Sequence, residues 1–446
     1  MKLTLNDDSI KNILSNLETV NNKLKNLYPG DSAERQPVHT VYGGAQLFKY
    51  DTAKKAGELA LKTFLKYAPD KNVFASIFNL DGKDNLTAIV YEKVIEKLKR
   101  EAVEDFRIDF EDGFGNRPDK EEDETAAFTA GEIVKGMKEN TLPPFIGIRI
   151  KTFSEELKRR AIRTLDIFIS TLLEKSEGKM PGNFVVTLPK VTAVEHVSSL
   201  VEIFEMMEGK LRLKPGTLKM EIMIETTQSI FDTEGKVNLV SLVKAGKERC
   251  KAAHFGVYDY TASCDITAKL QAMDHPVCDF ARDIMKVSLA GTGVWLSDGA
   301  TNVMPVGPNK GEILTVKQKK ENINTVNRAW RLMYAHVQHS LSNAFYQGWD
   351  LHPSQLGVRY AAVYIFFLSG LDQASIRLKN FIEKAAQATL VGDVFDDAAT
   401  GQGLLNYFLR ALNCGAITEK DILSTGLSLE EVRGKSFLKI LENRKK

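Results

Sequence analysis

The amino-acid sequence predicts an α/β protein built as a (β/α)8 TIM barrel with a C-terminal helical domain. Short apolar runs alternate with long amphipathic stretches along the chain, a pattern typical of parallel strands joined by helices. There are eight such runs, the number of strands that closes this kind of barrel. Most of the runs are apolar on both alternating faces, as expected of strands that are packed on both sides. A doubly wound open sheet is the alternative that this pattern leaves.

The predicted strands are separated by stretches that can form amphipathic helices, such as the segment from Ser154 to Lys175. The gap between the first two runs is long and must carry an insertion, and a long helix is predicted from about Val316 to Phe345. The runs are Val38–Gly43, Phe106–Glu111, Phe145–Ile150, Phe184–Pro189, Met220–Glu225, Ala253–Tyr258, Gly293–Ser297 and Gly348–His352.

Strand patterns are confined to the middle of the chain, which divides it into three parts. Residues 1–36 are predicted to form an N-terminal helix and a linker. Residues 37–355 are predicted to form the barrel, and residues 356–446 a C-terminal helical domain without strands.

Composition and charge argue against several classes of partner. The chain has 60 basic and 58 acidic residues, a net charge of +2, so it has no overall attraction to nucleic acid or anionic lipid. The first residues contain no apolar signal-peptide core. The longest apolar run, which begins at Ala361, is about half the roughly 20 residues that a membrane span requires. We therefore expect a cytoplasmic protein that binds neither nucleic acid nor membrane.

Charged residues are concentrated where the predicted strands end. In a (β/α)8 barrel the functional side chains lie at the C-terminal ends of the strands, so these residues are predicted to share one mouth. They are Asp109, Glu111, Asp112, Arg149, Lys190, Glu225, Asp259, Asp298, Asp350 and His352.

These carboxylates would repel each other without a cation between them, so we expect a metal ion to bind there. Oxygen ligands without a Cys or His cluster favour Mg²⁺, or Mn²⁺, over zinc. Glu225 and Asp259 follow adjacent strands and are the predicted metal ligands. The alternative is that each caps the helix that follows it.

Arg149 is the candidate catalytic and substrate-binding cation. Its strand is otherwise apolar, and a buried guanidinium destabilises a protein unless it is paired. It could bind a substrate carboxylate or an oxygen that becomes negative. Its alternative role is a structural salt bridge to Glu111 or Asp109. Glu111 and Asp112 are predicted to contribute to the substrate site by orienting Arg149 or metal-bound water.

Several motifs resemble those of the HpcH/HpaI aldolase and citrate lyase β-subunit superfamily, and of malate synthases. They occur in the order found in that superfamily and together cover about residues 106–356. The segments are DFEDGFGNRPD (Asp109–Asp119), GIRI (Gly147–Ile150), TLPKV (Thr187–Val191), MIETTQSIF (Met223–Phe231), HFGVYDYTAS (His254–Ser263), the helix and strand of Asp274–Gly299, and GWDLHPSQL (Gly348–Leu356).

A further match lies in the C-terminal part of the chain. VFDDAATGQGL, from Val394, resembles the malate synthase segment whose Asp removes a proton from the acetyl thioester. Asp397 stands at that position, so the resemblance implies that Asp397 is the catalytic base. The alternative is that Asp397 caps a helix.

The resemblance implies a Mg²⁺-dependent carbon–carbon lyase or aldolase acting on a small 2-oxo acid or hydroxy acid. A malate synthase-like condensation of acetyl-CoA with glyoxylate is the main alternative, so an acyl-CoA is a second candidate ligand. A barrel that binds an acid without turnover is a minor alternative. Proteins of this superfamily are commonly oligomers, so a homo-oligomer is compatible with the resemblance.

Overall fold

The computed structural model describes residues 4–30, 32, 34–80, 82–383, 389–391, 394–396, 398–434 and 440. The strands are β1 (His39–Gly44), β2 (Asp105–Asp109), β3 (Phe145–Arg149), β4 (Phe184–Leu188), β5 (Lys219–Ile224), β6 (Cys250–Phe255), β7 (Trp295–Ala300), β8 (Gln347–Asp350), β9 (Thr389–Val391) and β10 (Val394–Asp396). The helices are α1 (Asp7–Leu27), α2 (Thr52–Tyr67), α3 (Lys71–Phe78), α4 (Asp84–Glu101), α5 (Asp119–Glu139), α6 (Lys158–Lys175), α7 (Val194–Leu211), α8 (Thr227–Ile230), α9 (Leu239–Ala245), α10 (Val257–Ser263), α11 (Pro276–Leu289), α12 (Val316–Ser342), α13 (Leu356–Ser369), α14 (Leu371–Glu383), α15 (Ala398–Asn413), α16 (Glu419–Leu423) and α17 (Leu429–Gly434).

Strands β1 to β8 form a closed parallel barrel in chain order, which confirms the predicted fold class. Each strand pairs with the next, and β8 closes the barrel by pairing with β1, where His39 lies opposite Gly348. Closure leaves the barrel without an unpaired edge. The predicted insertion between the first two strands consists of α2, α3 and α4.

The lumen of the barrel is more polar than the sequence suggested. Glu221 of β5 accepts two hydrogen bonds of 2.7 Å from Arg107 of β2 and lies 3.1 Å from the Nε2 atom of His254 on β6. Arg107 also pairs with Asp105. Burial opposes the charge of Glu221, but Arg107 and His254 outweigh it and hold the pKa of Glu221 well below its usual value. This buried layer of charges lies beneath the mouth of the barrel.

Apolar side chains on the outer face of the strands pack against the helices. Helix α13 is buried along nearly its whole length, which explains the apolar run that begins at Ala361. In the part of the chain that the structure describes, no helix combines the length and apolarity required to cross a membrane.

Three details differ from the sequence-based prediction. Strand β6 ends at Phe255, so Asp259 lies in the first turn of α10 rather than directly at a strand end. Strand β7 extends to Ala300 and therefore contains Asp298. The C-terminal part, predicted to be helical, includes the antiparallel strands β9 and β10.

Candidate active site

Arg149 and Asp109 form a buried ion pair at the mouth of the barrel. They are the last residues of neighbouring strands β3 and β2, where the parallel register places them side by side. Two atoms of the guanidinium, Nε and Nη2, donate to the two carboxylate oxygens at 2.8 and 2.6 Å. Asp109 also accepts from the backbone amides of Glu111 and Gly113, at 2.9 and 2.7 Å. Asp109 therefore holds both Arg149 and the loop that follows β2.

The third nitrogen of Arg149, Nη1, faces the predicted substrate-binding carboxylates. It lies 3.2 Å from Glu111 and 3.8 Å from Asp112. Burial raises the pKa of Glu111, against the opposing effects of Arg149 and Lys190. In Asp112 the same two cations outweigh burial and lower the pKa. The structural salt bridge considered as an alternative role for Arg149 is thus present, to both Asp109 and Glu111, and it leaves Arg149 at the mouth.

Lys190 connects these carboxylates to the predicted metal ligands. Its ammonium lies 2.5 Å from Glu111, 3.3 Å from Asp112 and 3.6 Å from Asp259. Burial opposes its charge, but the surrounding carboxylates raise its pKa. Lys190 was predicted to lie at the mouth, but it was assigned no catalytic, substrate-binding or metal-binding role. The TLPKV motif contained the signal, because it places Lys190 two residues after the end of strand β4, at the mouth.

Glu225, the residue after β5, is a buried carboxylate whose negative charge is only partly balanced by the nearby cations. Its side chain is 1% exposed, and burial together with the charge of Asp259 raises its pKa to about 8. Its Oε1 atom accepts a 2.7 Å hydrogen bond from the backbone amide of Lys190. Such a pKa is expected where a carboxylate pair has been built for a cation, since a bound cation would remove the penalty on the charged form.

Gly256 leaves room for the Glu225 carboxylate. A Cβ atom built on Gly256 would lie 2.4 Å from the Oε2 atom of Glu225 and 2.5 Å from its Cβ. The side chain of Glu225 therefore lies directly against the backbone of Gly256, in a cradle that any larger residue would fill.

Substitution of Gly256 by Ala is therefore expected to displace the Glu225 carboxylate and to weaken Mg²⁺ binding by about 10- to 100-fold, the usual cost of disturbing residues that orient metal ligands. Calorimetric titration with Mg²⁺ measures this change. Gly209→Ala is the matched control, because a Cβ on Gly209 meets no atom within 4 Å. Equal Mg²⁺ affinities in the two variants would show that the Gly256 cradle does not position a ligand.

Two aromatic residues close the lumen under this cluster. Tyr42 of β1 reaches across the barrel, and its hydroxyl lies 3.9 Å from the sulfur of Met223 on β5. Its ring lies 5.0 Å from the guanidinium of Arg149 and 4.6 Å from the ring of Trp349. Trp349 in turn donates to Nδ1 of His254 at 3.1 Å, and the Nε2 atom of the same ring faces Glu221. The aromatic pair separates the buried charged layer from the mouth.

Two of the carboxylates predicted to line the mouth face the opposite way, which corrects that prediction. Asp298 receives hydrogen bonds from Arg282 and, at 2.6 Å, from Ser340, both on helices outside the barrel. Asp350 pairs with Arg359 at 2.9 Å and lies 3.1 Å from His39. Successive residues of a strand point to opposite faces, and these two are on the outer face. They stabilise the contact between barrel and helices.

The remaining predicted residues are placed as follows. His352 caps the short turn after β8, where its Nδ1 atom accepts from the backbone amide of Ser354 at 3.1 Å. Asp259 lies in the first turn of α10, but it does not cap that helix, which was its alternative role, and its carboxylate lies 3.6 Å from the ammonium of Lys190. Asp397, the predicted base, lies outside the described residues.

The arrangement offers a divalent cation two carboxylate ligands. Within the described ranges, no three His, Cys, Asp or Glu side chains come together in a group that could bind a metal by themselves. A Glu225–Asp259 pair is compatible with Mg²⁺, which usually takes one or two carboxylates and completes its shell with water and substrate.

A family model for a domain of unknown function, DUF6986, matches residues 17–440 of the chain. The chain belongs to the DUF6986 family. Comparison with curated proteins found no match.

Solved structures similar to this DUF6986 protein include a citrate lyase from Burkholderia xenovorans LB400. The two are 15% identical, with 88% of this chain and 97% of that chain covered and a TM-score of 0.55. A magnesium and glyoxylate complex of Haloferax volcanii malate synthase is 14% identical over 90% and 98% of the two chains, with a TM-score of 0.46. An HpcH/HpaI aldolase/citrate lyase family protein from Burkholderia cenocepacia J2315 is 11% identical over 80% and 99%, with a TM-score of 0.38. The predicted resemblance is confirmed as a likeness of fold to the citrate lyase.

Proposed function

We propose that this DUF6986 protein is an enzyme that makes or breaks a carbon–carbon bond next to a carboxylate in a small 2-oxo acid or hydroxy acid. The proposal includes a dependence on Mg²⁺, or Mn²⁺, held by Glu225 and Asp259. The observation that carries it is the mouth cluster, in which a buried arginine and a carboxylate of raised pKa lie on either side of Lys190. The fold shared with a citrate lyase supports the same reading.

Each part of the cluster has a separate task in this proposal. Bound at Glu225 and Asp259, a divalent cation would supply Lewis-acid activation and a template for the acid. Arg149 stabilises the oxygen that gains negative charge as the carbon–carbon bond forms or breaks. Asp109 keeps Arg149 in position, since it binds two guanidinium nitrogens at once. Glu111 and Asp112 orient the substrate and Arg149, and Lys190 limits the repulsion among the carboxylates.

The aromatic pair of Tyr42 and Trp349 is compatible with a small substrate. The ring of Tyr42 lies 5.0 Å from the guanidinium of Arg149 and 4.6 Å from the ring of Trp349, so the two rings lie directly beside the cluster at the mouth. Burial raises the pKa of Tyr42 well above its usual value, so its hydroxyl stays neutral. An acid of a few carbon atoms would contact the carboxylate cluster and the aromatic pair together.

A malate synthase-like condensation of acetyl-CoA with glyoxylate is the second candidate function. It rests on the VFDDAATGQGL motif, in which Asp397 matches the residue that takes a proton from the acetyl group. In either reaction Asp397 is the proposed base that moves a proton on carbon.

Calorimetric titration tests both candidates. The protein is titrated with Mg²⁺ and then with glyoxylate, pyruvate and oxaloacetate, each with and without acetyl-CoA. Binding of an oxo acid only with Mg²⁺, followed by release of free thiol from acetyl-CoA, would establish the condensation. Mg²⁺-dependent binding of an oxo acid that acetyl-CoA leaves unchanged would favour the lyase or aldolase. Hydroxy acids would then be the substrates to screen. No effect of Mg²⁺ on any ligand would overturn the proposed site.

The pKa of Glu225 predicts a distinct pH dependence of metal binding. Because the carboxyl holds its proton up to a pH of about 8, Mg²⁺ must displace that proton at neutral pH. We expect the affinity for Mg²⁺ to rise by about tenfold per pH unit between pH 6 and 8, and to level off above this. Titration at pH 7 in two buffers of different ionisation enthalpy should detect release of about one proton per Mg²⁺.

The same shift predicts how the stability of the metal-free protein changes with pH. The folded-state pKa of Glu225 lies above the ordinary glutamate value of 4.5, so the folded state binds more protons between these two values. The contribution of Glu225 to stability is therefore lost as the pH rises from about 4.5 to about 8. Mg²⁺ should restore it, which thermal unfolding with and without Mg²⁺ would measure. A pH-independent Mg²⁺ affinity would contradict the assignment of Glu225.

A further inference from the structure

Helix α1 carries an apolar stripe that no residue in the described part of the chain buries. None of the 21 residues of α1 is buried in the described structure. Ile13, Leu17, Val20 and Leu24 are each 48–58% exposed, and they lie on one face of the helix. Isolated helices gain little stability from propensity alone, so an uncovered amphipathic helix of this length is expected to pack against a partner.

The spacing of the stripe indicates what kind of partner fits. Apolar residues alternate at intervals of three and four over six positions, which is the repeat of a coiled coil. They are Ile10, Ile13, Leu17, Val20, Leu24 and Leu27. A lipid surface is disfavoured, because α1 has three acidic and three basic residues and lacks the basic polar face of membrane-binding helices. The narrow seam is suited to another helix with the same repeat.

We propose that α1 pairs with α1 of a second copy of this chain in an antiparallel two-helix coiled coil. Charge selects this orientation. The helix has Asp7 and Asp8 in its first turn and Lys23 and Lys25 near its end. Antiparallel pairing brings the acidic end of each helix to the basic end of the other, whereas parallel pairing would place like charges together. The helix dipoles favour the same arrangement.

Every layer of such a pair would be apolar. With the two-fold axis between Glu18 and Thr19, Ile10 of one helix lies opposite Leu27 of the other, and Leu17 lies opposite Val20. The N-terminus of α1 is also stabilised within the single chain. Asn6 and Ser9 cap its N-terminus reciprocally, with backbone amide donors at 2.9 and 3.1 Å.

The attachment of α1 keeps the pairing away from the candidate active site. Just beyond the helix, the amide of Gly30 donates to the carbonyl of Gly291 at 2.8 Å. Gly291 lies between α11 and the start of β7, at the end of the barrel opposite the mouth. The pairing is therefore independent of the proposed chemistry.

The mass of the full-length protein in solution, measured by light scattering over about a hundredfold range of concentration, tests the proposal. We expect Leu17→Glu to halve the mass found for the unmodified chain at high concentration. Leu17 is exposed in the single chain, so the barrel should retain its thermal stability. Asn22→Glu adds the same charge to the polar side of α1 and should leave the mass unchanged.

Three outcomes would overturn the pairing. The unmodified protein could remain a monomer throughout, or Leu17→Glu could have the same mass as Asn22→Glu. A monomer that sediments with vesicles of anionic and neutral lipid would assign the stripe to a membrane surface instead.

Cross-linking tests the orientation separately. Ile10→Cys and Leu27→Cys are prepared singly, with Cys264 replaced by Ser because it is the cysteine that is not buried. Antiparallel pairing predicts a disulfide-linked dimer only when the two variants are mixed. A dimer formed by Ile10→Cys alone would overturn the antiparallel arrangement.

Discussion

Replacement of Glu225 by Gln is expected to abolish Mg²⁺-dependent turnover, by a factor on the order of 10³ or more, and to leave the protein folded. Glutamine keeps the acceptor for the Lys190 amide but lacks the negative charge that would bind the cation. The metal-free variant should be at least as stable as the parent at pH 8, because burial and Asp259 disfavour the charged form of Glu225. Calorimetry with Mg²⁺ and thermal unfolding at pH 5 and pH 8 give the two readouts.

Companion variants separate loss of a ligand from a general loss of charge. Asp259→Asn should also abolish Mg²⁺ binding. It should in addition lower the pKa of Glu225, because the charge of Asp259 is one cause of the raised pKa. Glu155→Gln removes an exposed carboxylate from the loop after β3 and should change neither property. Mg²⁺ affinity of Glu225→Gln equal to that of the parent would show that the metal site has been assigned to the wrong residues.

Arg149 is expected to give the second large effect. Lysine at this position keeps the charge but cannot hold both oxygens of Asp109 and still reach Glu111, so kcat should fall by about 10²- to 10³-fold. Alanine leaves the buried Asp109 carboxylate unpaired and should lower the free energy of unfolding by about 3–5 kcal/mol. Steady-state kinetics and denaturant unfolding measure the two consequences.

The surface pair of Arg163 with Asp123 is the matched control. Arg163 donates from two nitrogens to that carboxylate, at 3.0 and 2.7 Å, but its side chain is 61% exposed. Solvent screens such a pair, so Arg163→Lys should change stability by less than about 1 kcal/mol and leave kcat unaltered. If Arg149→Lys behaved like Arg163→Lys, Arg149 would have a structural role only.

Strand positions could be predicted because burial on both faces imposes an apolar run on the local sequence. The eight runs coincide with the eight strands of the barrel to within a few residues. The predicted run for β6 extended beyond the end of the observed strand because the apolar residues continue into α10. Periodicity cannot separate a short strand from a buried helical turn. The short strands β9 and β10 were missed for a related reason, since three residues are too few to establish a period.

The direction of side chains at the strand ends was predictable only in part. Arg149, Glu111 and Asp112 were expected together, and the parallel register brings them together. Asp298 and Asp350 were assigned to the mouth but face the helices, because a shift of one residue relative to the barrel axis reverses the face of a side chain. That shift depends on the packing of the whole barrel.

The sequence by itself determined where the eight barrel strands lie along the chain and which charged residues follow them, because both are encoded in local sequence patterns. Closure into a barrel, instead of the open doubly wound sheet that the pattern also allowed, is a property of the tertiary structure. Only the tertiary structure decided which charges meet. It placed Lys190 between Glu111 and Asp259, set Glu225 against Gly256 and closed the lumen with Tyr42 and Trp349. These contacts join residues far apart in the chain, and they depend on the curvature and register of the closed sheet. No local window of sequence contains that information.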